Sequence, residues 1–590
     1  MHDFKDPWKI LIAQALTELL REVDANANPV TPADVIAEIP PSPEMGDIGF
    51  PLFSFAKILR KGPPQIAQMV CGKLAGIAAK GTETPGTFEA AGPYVNVRLD
   101  RAVTAQAVLV QVLEGEGGFP FSRPGTLAGK KIMVEFSSPN TNKPLHLGHL
   151  RNDVLGESIS RILAACSAEV RKVCIINDRG IHICKSMLAY REQGQGKTPE
   201  SENIKSDHFV GDWYVCFNNM IKTDAEGLTR AQEMLRKWEA GDPETVTLWK
   251  QMNAWTIEGM KETYRRTGVS FDQYYFESDT WLLGRDEVLK GLEKGIFYRE
   301  PDGAVAVDLS AENLDKKILL RSDGTSIYIT QDFGTAINRH KDWPFDQMIY
   351  VVGSEQQYHF KVLFTLLDKL GYPWAKNLHH LSYGMVKLPE GKMKSREGTV
   401  VDADDLIDSL RDMARAEIQE KEREEKLGDP PEVAEKIALG ALHYYLLQAS
   451  PVKDMLFDPK ESLSFNGNTG PYLQYMGARI SSVLRMNNEQ FTMSNADFSL
   501  LTTDAEWELI KALAGYPQAI SDAAADLDPS RLAGYLYDLS KCFSRFYHEC
   551  PILNTENAGL SAARLALAQA VLRVLKDALH LICVPFLEAM

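Results

Sequence analysis

Two histidines, His146 and His149, stand where a strand-like run passes into a helix-like run. The joint reads SSPNTNKPLHLGHLRND (137–153) and directly follows KIMVEF. In a parallel α/β fold such a joint exposes unpaired backbone N–H groups and the positive end of the helix dipole, and therefore binds phosphates. Two imidazoles add donors, and Gly148 lets a base or ribose approach the backbone closely. The pattern favours an ATP site, although the same pair could be ordinary surface or core histidines.

A second candidate is the basic stretch LPEGKMKSREGTVV (388–401). The overlapping segment MVKLPEGKM (385–393) indicates a hairpin that turns at Pro389-Glu390-Gly391. Lys392, Ser395 and Arg396 could close over a triphosphate. Taken alone, a solvated basic turn is the simpler interpretation. The sequence contains no Walker A loop, because GTLAGKK (125–131) lacks the required spacing and the Ser or Thr. No third ligand accompanies the histidine pair at zinc-binding spacing, so we expect no structural metal.

Composition restricts the class of protein. A chain of 590 residues is expected to form two to four domains, and 44% hydrophobic with 24% charged residues is typical of globular proteins. No apolar run is expected to reach the roughly 20 residues of a membrane span, and the N-terminus does not resemble a secretory signal. Eight scattered cysteines suit a reducing compartment. We therefore expect a cytoplasmic protein without membrane association.

The net charge of −16 argues against indiscriminate binding to nucleic acid, because phosphate contacts need Lys and Arg. A nucleic-acid partner would therefore require local basic or aromatic surfaces.

The elements that must position these residues fall into three regions. Apolar periodicity predicts an α+β domain over 1–120, followed by a Gly- and Pro-rich linker. Alternating strand and helix patterns over 121–455 predict a parallel, Rossmann-like α/β domain with a helical insertion at about 205–300. Residues 456–590 are helical in pattern and predict an all-α domain. The predicted fold class is therefore α/β, with an α+β domain before the sheet and an all-α domain after it.

Together, HLGH (146–149) and KMKS (392–395) resemble the two signature sequences of class I aminoacyl-tRNA synthetases. KMKS departs from the usual KMSK pattern, because Lys394 and Ser395 stand where Ser and Lys are expected. Arginyl-tRNA synthetases commonly lack that second lysine, and a lysine upstream of the first signature is thought to replace it; Lys143 stands at that place. Further segments resemble this family in its own order: YITQD, VVGSEQQYHF, GNTGPYLQYMGAR and FYHECPIL.

The resemblance implies a two-step ligase reaction. L-Arginine and ATP, accompanied by Mg²⁺, form arginyl-adenylate and diphosphate, and the arginine then passes to the 3′ end of tRNA(Arg). In this family arginine activation requires bound tRNA. The resemblance also implies that residues 1–120 contact the tRNA elbow, that residues 456–590 bind the anticodon, and that the protein is a monomer.

The resemblance also places site residues. Those expected to bind arginine are Glu135, Asn140, Tyr328, Asp332 and Gln356. Asp332 is the expected partner of the guanidinium, whose permanent charge and planar donors require carboxylates at fixed geometry. Glu135 and Asn140 are expected to hold the α-amino end and the side-chain stem. Two alternatives stay open: Glu135 could be an outward-facing strand residue, and Tyr328 an ordinary aromatic residue of a sheet.

The remaining expected site residues serve ATP and tRNA. The residues expected to bind ATP are His146, Gly148, His149, Lys392, Ser395 and Arg396, and those expected to be catalytic are His146, His149, Lys143 and Lys392. The residues expected to contact the anticodon are Tyr472, Tyr475, Arg479 and Met590. The two tyrosines could equally pack in a helix core, since three-residue spacing places them on one face.

Three kinds of rival function fit these residues less well: another class I synthetase, a small-molecule nucleotidyltransferase and a non-enzymatic tRNA-binding protein. A cysteinyl enzyme would need a zinc ligand cluster, and a glutamyl enzyme would want cations where Glu135 and Asp332 stand. A small-molecule nucleotidyltransferase would not need the helical C-terminal region. A non-enzymatic tRNA-binding protein is disfavoured because both ATP-site sequences are present.

Overall fold

The computed structural model describes residues 4–79, 86–115, 119–281, 283–389, 401–420, 430–486, 496–552 and 556–590. The chain divides into two compact units. The first comprises Met1–Arg123, Arg479–Ala519 and Tyr535–Asp577, and the second comprises Pro124–Ala478, Ile520–Gly534 and Ala578–Met590.

The N-terminal part of the first unit combines helices with a small antiparallel sheet. Its helices are α1 (Lys5–Val23), α2 (Ala56–Leu59), α3 (Pro63–Ala78) and α4 (Arg101–Leu113), and its strands are β1 (Ile48–Pro51), β2 (Gly86–Ala91) and β3 (Tyr94–Leu99). The strand order is β1-β3-β2. Helix α4 begins where the Asp100 side chain accepts from Val103 N, which satisfies an unpaired N–H of the first turn. The predicted α+β fold of this region is confirmed.

The second unit contains the α/β core. Its strands are β4 (Lys131–Glu135), β5 (Glu169–Ile176), β6 (Gln273–Phe276), β7 (Tyr298–Arg299), β8 (Val305–Val307), β9 (Lys317–Leu320), β10 (Gln347–Gly353), β11 (Leu378–Tyr383), β12 (Val386–Lys387) and β13 (Met455–Leu456). The main sheet has the order β11-β10-β4-β5-β6, and all of its pairings are parallel. Residues 132–134 of the central strand β4 are buried, as expected for a strand covered on both faces.

Helices connect and cover these strands. They are α5 (Leu147–Ala165), α6 (Ile181–Gln193), α7 (Pro199–Glu202), α8 (Ser206–Met220), α9 (Gly227–Glu239), α10 (Pro243–Thr267), α11 (Glu277–Thr280), α12 (Leu283–Glu293), α13 (Tyr328–Asp342), α14 (Gln357–Lys369), α15 (Ala403–Glu420), α16 (Pro430–Leu447) and α17 (Pro459–Ser462). Helices α6 to α10 lie between β5 and β6 in the chain, and α6, α8, α9 and α10 share an apolar core around Met187, Phe209 and Phe217. The parallel Rossmann-like fold with a helical insertion is confirmed.

The C-terminal region is helical, as predicted. It contains α18 (Gly470–Arg485), α19 (Asp504–Ala514), α20 (Tyr516–Asp526), α21 (Ser530–Glu549) and α22 (Ala558–Leu581). Contrary to expectation, α22 is long and apolar enough to cross a membrane by length and composition. However, 67% of its most apolar window is buried inside the protein, as in the core helix of a globular domain.

The structure removes one alternative left open by the sequence and describes only part of a predicted hairpin. Tyr328 is the first residue of helix α13, so the alternative that it is a sheet aromatic is wrong. The hairpin predicted at 385–393 falls partly on residues 390–393, which lie outside the described residues, and its Val386–Lys387 pairs in parallel with Met455–Leu456.

Candidate active site

Helix α5 starts at the carboxyl edge of the main sheet, where ligands bind in open α/β folds. Its Asn152 side chain accepts from Ser137 N and donates to Val351 O (2.7 Å) and Tyr383 Oη (3.0 Å). These bonds tie α5 to the ends of β4, β10 and β11. The chain enters the joint through two left-handed residues, Ser137 (φ 73°) and Ser138 (φ 51°), a backbone that non-glycine residues adopt at a cost.

His146 and His149 cap the first turn of α5 reciprocally. Gly148 N donates to His146 Nδ1 at 3.1 Å, and His146 N donates to His149 Nδ1 at 3.1 Å. The two ring centroids are 3.8 Å apart. A neutral imidazole whose Nδ1 accepts a hydrogen bond carries its proton on Nε2. Both histidines therefore keep an Nε2–H donor that the helix does not use.

Both imidazoles are neutral near pH 7. Burial and, secondly, the charge of Lys143 lower the pKa of His146 to about 4. Burial also holds the pKa of His149 well below its usual value, with smaller contributions from His146 and Lys143. The joint therefore offers two uncharged donors beside the positive end of a helix, which is an arrangement suited to phosphate oxygens.

Lys143 lies in the joint just before these histidines and is half-buried. Its charge lowers the pKa of His146, His149 and His182, so the ammonium lies within electrostatic reach of all three rings. This position supports its expected role near the phosphates of ATP.

The C-terminal end of the basic stretch (388–401) lies against the same joint. Leu147 N donates to Val401 O at 3.0 Å, and Ala403 N donates to Leu145 O at 3.0 Å. The expected ATP-binding residues Lys392, Ser395 and Arg396 lie at 390–400, outside the described residues.

The chain just before the basic stretch is also hydrogen-bonded to α5. The buried Arg151 guanidinium donates to Gly384 O and Met385 O, and also to Pro451 O and Lys453 O. The described chain before the basic stretch and the last residue of the stretch are thus both hydrogen-bonded to the segment that carries His146 and His149.

One group of described side chains has metal-ligand geometry. Atoms of Asp207, His208 and Asp404 lie within 4.8 Å of one another. The Lys205 ammonium lies among them and donates to Asp207 Oδ2 (3.0 Å), Asp404 Oδ2 (2.7 Å) and Thr263 Oγ1 (2.6 Å). Because this ammonium already supplies positive charge to the carboxylates, the group is an ion cluster of the protein's own side chains.

Tyr328 and Asp332 begin helix α13, and their four-residue spacing places them on one helix face. Tyr328 is 79% exposed. The Asp332 carboxylate lies 2.6 Å from His359 Nε2, and 42% of the Asp332 side chain is exposed. This face therefore presents an aromatic ring and a carboxylate that a ligand can reach.

Asn140 and Gln356 also follow strands of the main sheet. Asn140 is exposed and forms a bridge with Asn177, just beyond the end of β5. Gln356 is exposed and ends a short 3₁₀ helix (Ser354–Gln356) that directly follows β10. Because carboxyl ends of parallel strands meet at one edge, both residues lie at the edge that carries the histidine pair.

Glu135, the last residue of β4, is buried, so the alternative that it faces outward is wrong. Its carboxylate forms an ion pair with the guanidinium of Arg339, a buried residue of α13. Burial raises the pKa of Glu135, and the charge of Arg339 opposes that rise.

Sequence reasoning missed several charged residues at this edge. Asp178 and Arg179 follow β5, and Glu277 follows β6. Burial raises the pKa of Glu277 to about 7; nearby Arg179 opposes this shift, and Asp178 and Asp332 add to it. Charged residues directly after the apolar runs VCII and YYF were the signal that could have identified them. His359, the partner of Asp332, had a similar signal in VVGSEQQYH.

The residues expected to contact the anticodon lie in or after helix α18. Tyr472 and Tyr475 are half-buried on this helix. The Arg479 guanidinium lies over the ring of Tyr547, 4.1 Å from its centroid. Met590 is half-buried.

Three protein-family profiles match the chain. They are "tRNA synthetases class I (R), catalytic domain" over residues 122–459, "DALR anticodon binding domain" over 473–590, and "Arginyl tRNA synthetase N terminal domain" over 7–99. The first covers more than half of the 590 residues.

Whole-chain relatives agree with these profiles. The chain is 58% identical to an arginine–tRNA ligase of Treponema denticola and 54% identical to one of Treponema pallidum, each over 100% of both chains. Its structure is similar to that of the Thermus thermophilus arginyl-tRNA synthetase, with a TM-score of 0.81, 28% identity, and coverage of 98% of this chain and 99% of that one. The chain therefore belongs to the arginine–tRNA ligase family of class I aminoacyl-tRNA synthetases, whose known function is the charging of tRNA with arginine.

Proposed function

We propose that this chain activates L-arginine with ATP and Mg²⁺ and transfers the arginine to the 3′ end of tRNA(Arg). The observation that carries this proposal is the joint at the start of α5, where two neutral imidazoles carry Nε2–H donors that the helix does not use, at the sheet edge that also carries Asp332. The first reactants, a polyanionic nucleotide and a cationic amino acid, match these two groups in charge.

Labelled arginine offered with ATP and total tRNA tests the proposal directly. We expect arginine to be incorporated, and labelled glutamate, cysteine and lysine not to be. Preferential charging with glutamate or cysteine would support a different class I synthetase. ATP turnover without any charging of tRNA would support a small-molecule nucleotidyltransferase.

The reaction asks little covalent chemistry of the protein. The arginine carboxylate attacks the α-phosphorus of ATP, the bond to diphosphate breaks, and a ribose hydroxyl of the tRNA later attacks the adenylate carbonyl and releases AMP. We propose that His146 and His149 donate from Nε2 to phosphate oxygens, and that Gly148 allows the nucleotide to approach the backbone. Fixed donors that meet developing charge lower such a barrier without reorganisation.

Lys143, Lys392, Ser395 and Arg396 complete the proposed phosphate site. The cations of Lys143, Lys392 and Arg396, with the Mg²⁺ that accompanies ATP, would neutralise the departing diphosphate. We propose that Asp332 binds the guanidinium beside Tyr328, and that Glu135, Asn140 and Gln356 hold the rest of the amino acid.

The proposed division of labour within the chain follows the three regions. Residues 1–120 would contact the tRNA elbow, residues 121–455 would carry the chemistry with a helical insertion at about 205–300, and residues 456–590 would bind the anticodon. Tyr472, Tyr475, Arg479 and Met590 are the proposed anticodon contacts. We also propose that the protein is a cytoplasmic monomer that needs no membrane.

Replacing Lys143 by Ala is expected to slow adenylate formation by about 10- to 100-fold, because a cation near the transferring phosphoryl group is lost. The affinity for tRNA should hardly change. Diphosphate exchange with tRNA present measures the first quantity, and filter binding measures the second. Lys130→Ala, which removes an exposed lysine at the opposite end of β4, is the matched control. Wild-type exchange in Lys143→Ala would remove this residue from the proposed role.

The neutral histidines predict an unusual pH profile. A histidine of ordinary pKa would titrate near pH 6.5. Burial instead lowers the pKa of His146 to about 4 and holds the pKa of His149 well below its usual value, so both rings stay neutral between pH 6 and 8. We therefore expect the rate of diphosphate exchange to show no step between pH 6 and 8 from these groups, and to fall as the pH approaches 4, where His146 gains a proton. A step near pH 6.5 that disappears in His146→Gln would contradict this assignment.

A further inference from the structure

Helix α13 brings two opposite charges to the amino-acid end of the site. Asp332 is partly exposed near its start, and Arg339 is buried two turns further along. Arg339 is not among the residues proposed to contact arginine, ATP or tRNA. Its guanidinium nevertheless forms an ion pair with Glu135, one of the residues proposed to hold arginine.

The surroundings of Arg339 leave Glu135 as its main counter-ion. The guanidinium carbon lies 4.9 Å from the centroid of the Tyr275 ring of β6. Among the described residues, Arg339 Nε and Nη2 have no hydrogen-bond partner. Such a cation is retained in a protein interior when a nearby anion compensates it.

Glu135 depends on Arg339 in the same way. The carboxyl is buried, and the negative charge of Asp332 further disfavours its ionised form. Arg339 is the cation that opposes both effects, so removing it would leave the proton on Glu135. A protonated Glu135 has the shape and charge of a glutamine and no longer attracts a cationic ligand.

We propose that Arg339 is a positioning residue that keeps Glu135 ionised and oriented for the capture of arginine. This inference rests on the proposed function, in which Glu135 contacts the amino acid. The Arg339 guanidinium thus maintains the negative charge on Glu135, which attracts the cationic substrate arginine.

Three groups around Glu135 do not titrate in the range of the test. Tyr350 of β10 and Cys174 of β5 are buried, and burial raises the pKa of each far above neutral pH. Burial also raises the pKa of Tyr275. Two other carboxyls do titrate there, because burial raises the pKa of Asp153 of α5 to about 8 and that of Glu277 to about 7. The wild-type enzyme and Glu135→Gln both retain these carboxyls, so comparison with them at each pH removes their contribution.

Four variants test the inference: Arg339→Met, Arg339→Lys, Glu135→Gln and the double variant Glu135→Gln/Arg339→Met. KM values for arginine and for ATP are measured by diphosphate exchange with tRNA present, from pH 7 to 9. Wild-type enzyme at each pH controls for titration of the arginine α-amino group. The double variant removes both buried charges together, which proteins tolerate better than the loss of one partner.

At pH 7 we expect Arg339→Met and Glu135→Gln each to raise KM for arginine by about tenfold, the size of a lost favourable charge interaction, with little change in KM for ATP. The double variant should match Glu135→Gln and not show the product of the two effects. The defect of Arg339→Met should shrink as the pH rises and Glu135 ionises, whereas that of Glu135→Gln should stay constant. Arg339→Lys should restore much of the affinity because it restores the positive charge.

Two outcomes would overturn the inference: multiplicative effects in the double variant, or a pH-independent defect in Arg339→Met that Arg339→Lys does not relieve. If Arg339→Met does not fold, the double variant and Arg339→Lys still decide, because an affinity of the double variant well below that of Glu135→Gln would show a role outside Glu135. An unchanged KM for arginine in Glu135→Gln would instead contradict the proposed arginine site itself.

Discussion

Replacing Asp332 by Asn is expected to raise KM for arginine by roughly 100-fold, while KM for ATP changes little. A neutral amide keeps the shape of the carboxylate but loses its charge-assisted hydrogen bonds to a guanidinium, which are about twice as strong as neutral ones. Because 42% of the Asp332 side chain is exposed on a helix face shared with Tyr328, a ligand can reach it. Initial rates of diphosphate exchange, with tRNA present and each substrate varied in turn, measure both constants.

His359 contacts the carboxylate on which this prediction depends. Its Nε2 lies 2.6 Å from the Asp332 carboxylate, so His359 holds the carboxylate at one orientation. Asp342→Asn, at the C-terminal end of the same helix, removes an acid of similar type and serves as the control. Equal changes in both KM values for Asp332→Asn would show that the helix, and not the amino-acid pocket, had been disturbed.

Replacing His149 by Ala is expected to lower kcat for adenylate formation by about 10²- to 10³-fold, because a preorganised donor to the transferring phosphate is lost. The same substitution removes a helix cap, since His149 Nδ1 accepts from His146 N. Loss of a cap costs about 1 kcal/mol of stability, which is too little to unfold a domain of ordinary stability. Single-turnover formation of adenylate, with tRNA present, measures the chemical step directly.

Asp242→Ala is the matched control for this substitution. Asp242 caps helix α10 by accepting from Thr245 N at 2.9 Å, so its loss removes a cap without removing a phosphate donor. We expect similar decreases in melting temperature for the two variants and a loss of rate only in His149→Ala. A comparable loss of rate in Asp242→Ala would attribute the effect to stability.

Much of this site could be read from local patterns. The reciprocal capping by His146 and His149 joins residues two and three positions apart, and such contacts follow from the geometry of a helix start. The parallel sheet followed from alternating strand and helix patterns, and a parallel sheet fixes which edge carries the ligands. The main features of the proposed ATP site could therefore be predicted from the sequence alone.

The segment around Tyr328 shows where local patterns failed. Ile327 and Ile329 alternate with polar neighbours, as in a strand, yet the chain is helical from Tyr328. Close packing between α12 and α13 accompanies this outcome. A Cβ atom on Gly284 would lie 1.6 Å from Thr330 O, and one on Gly334 would lie 2.4 Å from Gly284 N. Tertiary contact of this kind overrides local propensity.

The sequence by itself determined the class of fold, the strand-to-helix joint and the residues that could serve a nucleotide and an amino acid. Those properties depend on neighbours in the chain, whose spacing sets periodicity, capping and the direction of a strand. Only the tertiary structure decided that Glu135 is buried against Arg339, that His359 orients Asp332, and that α22 is a core helix. Burial and ion pairing join residues far apart in the chain, so the spacing of neighbouring residues does not reveal them.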